Sequence, residues 1–437
     1  MLRENRASFE YNQDQPDRAR AHLPMAVPPS RFAMFFIFLT ALMDSIGFGI
    51  IMPVLPDLIM QVSGEGLSAS ARYGGWLMFS FAVMQFFCAP VLGNLSDRFG
   101  RRPVLLLSLF AMAINYILMG LAGSLLVLFI GRIISGIGAS TMSTCYAFIA
   151  DTTPEAERAQ NFGLVGAAFG MGFVVGPVVG GFLGEFGPRM PFFAAAALSF
   201  ANMAFGFFVL KESLQEEHRR RFTWQRANPL GTLTQLAKFP IIIGMISVMF
   251  LYNLGHHVLP ATWSFFAIEK FAWTPKEIGY SLGFVGILMV FVQGFLIRWV
   301  LPRTGMRLAG IIGMVFTIVA FTGYASATAP WMVYAAMIPG ALGAFAGPAM
   351  QGITTAQIGP GQQGELQGGI SSTMSLCSII SPLMMTQTFA YFTAADAPFY
   401  FPGAAFLLAA TLTVMSLALF IRTTAPLSIP TPSRAIP

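Results

Sequence analysis

Twelve apolar stretches, each long enough for a helix to cross a bilayer, constrain this chain more than any other feature. They run roughly over 32–59, 74–92, 104–122, 125–148, 161–184, 190–210, 239–263, 279–300, 308–327, 330–352, 366–392 and 399–421. In hydrocarbon the chain must satisfy its own backbone N–H and C=O groups, so only helices and closed barrels span. A barrel needs short strands of alternating polarity, and these runs are continuous instead. With 55% hydrophobic residues, 10% charged residues and a mean hydropathy of +0.68, the composition leaves no room for a soluble core of ordinary kind. The predicted fold class is an all-α membrane protein of twelve transmembrane helices.

The basic residues set the topology. Lys and Arg accumulate in cytoplasmic loops, and an even number of crossings puts both termini on one side. Assigning that side to the cytoplasm gathers most of the 25 Lys and Arg there and leaves Arg72, Arg189, Lys270 and Lys276 opposite, with Arg132 inside a helix. The net charge of +6 is then explained by topology, and no nucleic-acid partner is called for. Residues 1–31 carry no cleavable signal pattern and read as a flexible cytoplasmic tail, as do 422–437. Cys88, Cys145 and Cys377 all lie in apolar runs without metal-site spacing, so neither a disulfide nor a metal is expected.

The longest polar interruption, 211–238, divides the chain into six-helix halves at 32–210 and 239–421. It contains Glu212, Glu216, Glu217 and the run His218-Arg219-Arg220-Arg221, and reads as a solvated linker. The halves echo each other at a constant offset of 205 residues: Arg98, Gly100 and Arg102 answer to Arg303, Gly305 and Arg307, Gly138 to Gly343, Gly163 to Gly368, and Pro177 to Pro382. Two pseudo-symmetric halves with a site between them is the architecture expected of an alternating-access carrier.

Between helices 2 and 3 lies Gly93-Asn94-Leu95-Ser96-Asp97-Arg98-Phe99-Gly100-Arg101-Arg102-Pro103, a charged loop that must turn straight back into the membrane. Its glycines allow a tight turn. Together with Asp151, Glu155, Glu157 and Arg158 after helix 4 and Glu365 before helix 11, its charges are expected to form a gate network closing the cytoplasmic side. Exposed pairs of this kind are worth at most about 1 kcal/mol each, which suits a gate that opens.

Few polar residues sit within the apolar runs. Asp44 in helix 1 is costly there, about 2.5–3.5 kcal/mol at a helix centre, so it either faces a watery cavity and carries a proton or is hydrogen-bonded to neighbouring helices. Arg132 in helix 4 keeps its charge and needs a carboxylate, a carbonyl cluster or a substrate; a link to Asp44 is one option and snorkelling is another. His256 and His257 project about 100° apart, so they are not expected to line one cavity, and a structural role is the expectation. Helix 5 carries Gly172, Gly176, Pro177, Gly180 and Gly181, a pattern for close backbone contact and bending.

These motifs resemble the major facilitator superfamily. Gly93 to Arg102 is similar to its loop 2–3 signature, Arg132 with Gly136 and Gly138 to its helix 4 signature, and the helix 5 glycines to its antiporter signature. Further segments resemble the tetracycline/proton antiporter family: Ile50-Ile51-Met52-Pro53-Val54-Leu55-Pro56, Leu259-Pro260-Ala261-Thr262-Trp263, and Gly347-Pro348-Ala349-Met350-Gln351-Gly352. The resemblance implies export of drugs in exchange for inward protons. It also exposes two departures: this chain has Asn115 where the family's drug-resistance members carry a helix 3 aspartate, and Thr317 is the nearest counterpart of their helix 9 aspartate.

The expected function is a proton-coupled antiporter of amphipathic small molecules, with Asp44 as the coupling acid and Asp44, Asn115, Arg132 and Gln351 as polar groups of an otherwise aromatic and methionine-rich cavity. No nucleotide-binding loop, catalytic triad or metal-ligand spacing appears, so neither enzyme nor cofactor is expected. The expected partners are membrane lipid, protons and an amphipathic substrate. A monomer in the cell membrane, the inner membrane if the source is bacterial, completes the expectation. A proton-linked importer of a metabolite and a non-transporting receptor or assembly protein remain the alternatives.

Overall fold

A computed structural model describes residues 31–139, 141–220, 222, 240–358 and 363–425, and among them it is helical without strands. The first half contains α1 (Arg31–Gly49), α2 (Leu55–Ser63), α3 (Leu67–Phe99), α4 (Arg101–Gly120), α5 (Leu125–Gly138), α6 (Thr141–Thr152), α7 (Glu155–Gly184) and α8 (Met190–Val209). The second contains α9 (Pro240–His256), α10 (Val258–Phe271), α11 (Pro275–Phe291), α12 (Ile297–Ser326), α13 (Pro330–Leu342), α14 (Ala346–Thr355), α15 (Gln363–Thr393) and α16 (Ala404–Thr424). The tail 1–30, most of the linker beyond residue 220, and 426–437 lie outside the described residues.

Eleven helical stretches are long and apolar enough to cross a membrane, and one of them, Pro275–Ser326, is 52 residues long. At 1.5 Å per residue it would measure about 78 Å, more than twice the ~30 Å hydrocarbon core. Gly305 breaks it at φ 74°, ψ 160°, which makes two crossings and restores the expected twelve. Its counterpart Gly100 separates α3 from α4 at φ 105°, ψ 160°. Only glycine adopts this backbone readily. The repeat is thus a repeat of geometry as well as of letters, and the eleven-residue loop expected from 93 to 103 shrinks to a single residue, with its charges on helical turns.

The crossing that opens each three-helix set is interrupted. The chain turns at residues 50–54 between α1 and α2, after Gly138 between α5 and α6, at His257 between α9 and α10, and through a 3-10 turn at Gly343–Phe345 between α13 and α14. Discontinuous helices of this kind release backbone groups beside a central cavity.

The distribution of the core shows which end is closed. One apolar cluster draws on both halves at the end away from the termini, with Ile50, Val54 and Leu58 from the first and Phe265, Phe266 and Phe389 from the second. Towards the termini the halves have separate cores, one around Phe36, Leu105 and Phe148 and the other around Met245, Met314 and Phe420. Among the described residues every hydrogen bond between halves lies at the far end: Ser264 Oγ donates to Met52 O (2.8 Å), Ser68 Oγ to Ala390 O (2.8 Å), Gln387 Nε2 to Arg72 O (3.3 Å) and Lys276 Nζ to Glu185 (3.4 Å). The molecule is sealed there and parted at the end that carries its termini.

The helix 5 glycines build this seal by using two faces of α7. Gly172, Gly176 and Gly180 face α1, where an added Cβ would come within 2.5 Å of Leu42 O at the first and 2.9 Å of Ile46 O at the second, and would collide with Ile50 at the third. Gly181 and the carbonyl of Pro177 face α11 of the other half: Gly181 lies against Pro275 O, and a Cβ on Gly279 would fall 2.5 Å from Pro177 O, while the Pro177 ring lies against Gly49 of α1. One face therefore binds a half together, and the other closes the two halves on each other.

Candidate functional site

A cavity of about 440 Å³ lies between the halves, within the range of small-molecule sites. Its walls are mainly apolar, including Phe48, Phe81, Phe169, Phe173 and Phe265 with Met52, Met78, Met112 and Met142. The polar groups are few: Asp44, Gln85, Tyr116, Arg132 and Ser135 from the first half, and His257, Ser264 and Ser378 from the second.

Asp44 projects from the middle of α1 and Arg132 from α5, so two crossings bring a carboxylate and a guanidinium to one chamber. The direct pairing considered from sequence is not made: among the described residues neither enters an ion pair, and the buried Nε of Arg132 lacks any hydrogen-bond partner. Tyr116 on α4 lies within electrostatic reach of both, with its hydroxyl against Gly47. A bulkier residue than glycine at 47 would evict that hydroxyl. The wall thus presents an unpaired acid, an unpaired base and a phenol to whatever enters, and such unpaired buried groups are expensive unless a ligand or water satisfies them.

Asn115 and Gln351, expected in the cavity, are placed elsewhere. Asn115 is 1% exposed and sits one layer behind the wall, where its Nδ2 donates to Ser135 Oγ at 2.6 Å. Its neighbour Tyr116 faces the chamber instead, because consecutive helical residues point about 100° apart. Gln351 is exposed on α14 and reaches Gln367 at 3.5 Å, outside the enclosed space. Thr317 is buried in the second half, bonded to Gly313 O and within 3.3 Å of the Tyr252 hydroxyl.

The adjacent histidines divide in the same way. His257 lines the cavity, with Nδ1 2.8 Å from Asn253 O and Nε2 3.1 Å from Ser378 Oγ. His256 turns away to stack on Tyr252, 5.6 Å between centroids, and against Phe321. Sequence reasoning weighted both towards structural roles; the break in helix 7, which carries His257 to the chamber, has no signal in the letters alone. Tyr116, Gln85 and Ser378 were missed, since an uncharged polar residue in an apolar run does not show which face it occupies.

The gate network also differs from expectation. Arg101, 8% exposed, bridges Asp97 (2.5 Å) and Asp151 (3.0 Å) and donates to Ser96 Oγ. Arg102 donates to Phe207 O, Arg158 to Thr153 O, and Arg98 lies over Phe99. Glu157 is exposed, Gly93 has open space beside it, and the side chain of Glu365 lies outside the described residues. All these contacts fall inside the first half, so the network ties α3, α4 and α6 to one another, and among the described residues it makes no bridge to the second half. The start of the linker joins it: the Glu212 carboxylate accepts from the backbone N–H of Arg101 (2.8 Å) and Arg102 (3.2 Å), capping α4, and Arg220 N donates to Asp97 O. The segment read as solvated is docked as far as residue 220.

A chamber between two six-helix halves, sealed at one end and parted at the other, defines a membrane carrier. Residues 37–382 match the family model of the Major Facilitator Superfamily. The chain is 39% identical over 361 residues to the class C tetracycline resistance protein of Escherichia coli, spanning 83% of this chain and 90% of that one. It is 35% identical to the class B protein of Escherichia coli, spanning 78% and 85%. Among solved structures it resembles the human organic anion transporter MFSD10 (TM-score 0.66, 24% identity, 90% of this chain and 100% of the other) and the nucleoside transporter NupG (0.73, 14%, 90% and 98%). The chain belongs to the Major Facilitator Superfamily.

Proposed function

We propose that this protein is a proton-coupled exporter of amphipathic small molecules, tetracycline-like drugs among them, working by alternating access. The observation that carries the reading is that an unpaired membrane carboxylate, Asp44, and an unpaired Arg132 line one aromatic and methionine-lined chamber between the halves. The family of drug-resistance relatives supports the direction of transport. With the termini in the cytoplasm, the parted end faces the cell interior, where a drug enters. A proton arriving from outside on Asp44 removes its charge after the drug has left, and lets the halves return to this inward-facing form. The protein acts as a monomer in the cell membrane, since one chain encloses the whole pathway.

Inside-out vesicles energised with a proton gradient and loaded with a pH-sensitive dye test this. Adding tetracyclines, then unrelated amphipathic drugs, is expected to evoke proton release in the parent and none in Asp44→Asn expressed at equal level. Equal drug-evoked release by Asp44→Asn would sink Asp44 as the coupling acid. Silence across the whole panel would sink the exporter reading.

A further inference from the structure

The second half contributes no carboxylate to the chamber. Among the described residues its only titratable group on the wall is His257. The repeat makes this placement more informative: subtracting 205 from His257 and Ser378 gives Met52 and Phe173, and both of these also line the chamber. Symmetry-related positions therefore face the same space, apolar in the first half and a hydrogen-bonded His–Ser pair in the second.

The pair has the wiring of a proton site. Asn253 O can only accept, so at 2.8 Å it fixes the hydrogen on Nδ1 of His257 and leaves Nε2 facing Ser378. Ser378 Oγ has one hydrogen and two claimants, Nε2 at 3.1 Å and Met374 O at 3.1 Å. With a neutral ring, the hydroxyl hydrogen goes to Nε2. When a proton from water binds Nε2, the N–H donates to Ser378 Oγ and the hydroxyl hydrogen swings to Met374 O. Both states are fully bonded, and only a hydroxyl rotation separates them. The backbone N–H of His257 also caps Asn253 O (3.1 Å) at the break between α9 and α10, so the ring is fixed to a discontinuity in its helix.

We propose that His257, held against Ser378, is a second proton-binding group of the transport cycle, supplied by the half without a membrane acid; this rests on the exporter reading above. The other groups around it are accounted for. Across the chamber stand Asp44, Tyr116 and Arg132 on α1, α4 and α5. On its own helix His256 and Tyr252 stack on each other and away from the chamber, and on α15 Cys377 donates to Phe250 O. Asp57 on α2 and Arg72 and Tyr73 on α3 lie at the sealed end, as do Glu269 and Lys270 at the end of α10. A proton on His257 adds a positive charge opposite Asp44 and Arg132, and so alters what the chamber attracts.

Ring-labelled histidine NMR on the full chain in lipid nanodiscs reads the site without any drug, because the chain has four histidines and His257→Gln identifies the signal. His257 is expected to change protonation in one step as the buffer is taken across a range from acid to alkaline pH. Ser378→Ala, which keeps the ring in place, is expected to move that step while the His256 signal stays put. In the vesicle assay with tetracycline as probe, Ser378→Ala and His257→Gln are both expected to shift the pH profile of drug-evoked proton release. A His257 ring that keeps one protonation state across the range, or a step that Ser378→Ala leaves unmoved, overturns the proposal. Titration of His257 in a protein that no drug stimulates would instead overturn the exporter reading and leave the proton site standing.

Discussion

The two halves share a backbone and differ in chemistry. At the 205-residue offset, Asp44 answers to Met249, Tyr116 to Phe321, Arg132 to Met337 and Gln85 to Val290. Met249, Phe321 and Met337 are each no more than 4% exposed, the first in the second-half core and the other two in the cluster shared by both halves. The gate triad follows the same rule: Asp97, Arg101 and Asp151 answer to Pro302, Met306 and Ala356. Duplication supplied the frame twice, and the charged working groups were kept or gained once, leaving the second half a mainly apolar body that closes on them. Among the described residues the chamber's carboxylate and guanidinium both stand on the first half, and the second half faces them with His257, Ser264 and Ser378.

The largest test of that asymmetry is to delete matching residues. Arg132→Ala removes the guanidinium that the described residues bring to the chamber and is expected to lower drug affinity about 100-fold if a ligand oxygen bonds it with charge assistance, while Arg132→Lys recovers part of the loss. Met337→Ala is expected to cost about 2–5 kcal/mol of stability by leaving a core cavity while drug affinity in the folded fraction stays the same. Binding isotherms beside thermal unfolding separate the two outcomes. Equal loss of affinity in both variants would mean that the second half recognises the ligand as directly as the first.

The gate residues come next. Arg101→Ala removes the buried guanidinium that bridges the partly exposed Asp97 and Asp151 and is expected to cost about 2 kcal/mol, seen as a lower unfolding midpoint in detergent. Among the described residues Arg307, the counterpart of Arg102, donates to Thr424 Oγ1 at 3.2 Å. Arg307→Ala is expected to cost about 1 kcal/mol or less. Equal losses would show that the second half hides a polar network of its own.

Much of this was legible in the chain. The twelve crossings, the two halves and the repeat followed from apolar length and from glycines and prolines in register, because bilayer thickness and backbone conformation leave few alternatives. Asp44 and Arg132 were legible because charge in hydrocarbon is too costly to be incidental. What was not legible depends on rotation about a helix or on a break within one. Asn115 and Tyr116, and His256 and His257, are adjacent in sequence and face different surroundings, and a polarity pattern without its helical phase does not choose between them. The docking of Glu212 on the first turn of α4 escaped for another reason: a glutamate in a polar linker carries no mark of the N–H groups it caps.

The two faces of α7 allow a smaller test. Gly279→Val overfills the α7–α11 seam, where Pro177 O leaves no room for a Cβ, and overpacking of this kind costs about 1–3 kcal/mol. The seam exists only while the far end is sealed, so the cost falls on this form and is expected to shift the population towards one open at the far end by about tenfold or more. Single cysteines at Ser68 and Ser264, labelled from the outside, would report the opening. Gly172→Val makes a comparable clash with Leu42 O inside the first half and is expected to lower stability without exposing those cysteines.

The smallest effect is expected behind the wall. Asn115→Ala removes the bond to Ser135, worth about 1 kcal/mol, and should change drug affinity less than about twofold because no atom of Asn115 borders the chamber. Tyr116→Phe removes a hydroxyl that the chamber does see, and about 1 kcal/mol there corresponds to a roughly fivefold loss of affinity. Measured with the same drug, the pair decides how residue 115 acts. If Asn115→Ala exceeds Tyr116→Phe, its influence travels through Ser135, which does line the chamber, and Asn115 shapes specificity from behind the wall. If the order is as expected, this chain selects its ligand with Tyr116, Asp44 and Arg132, and Asn115 serves the packing behind the wall.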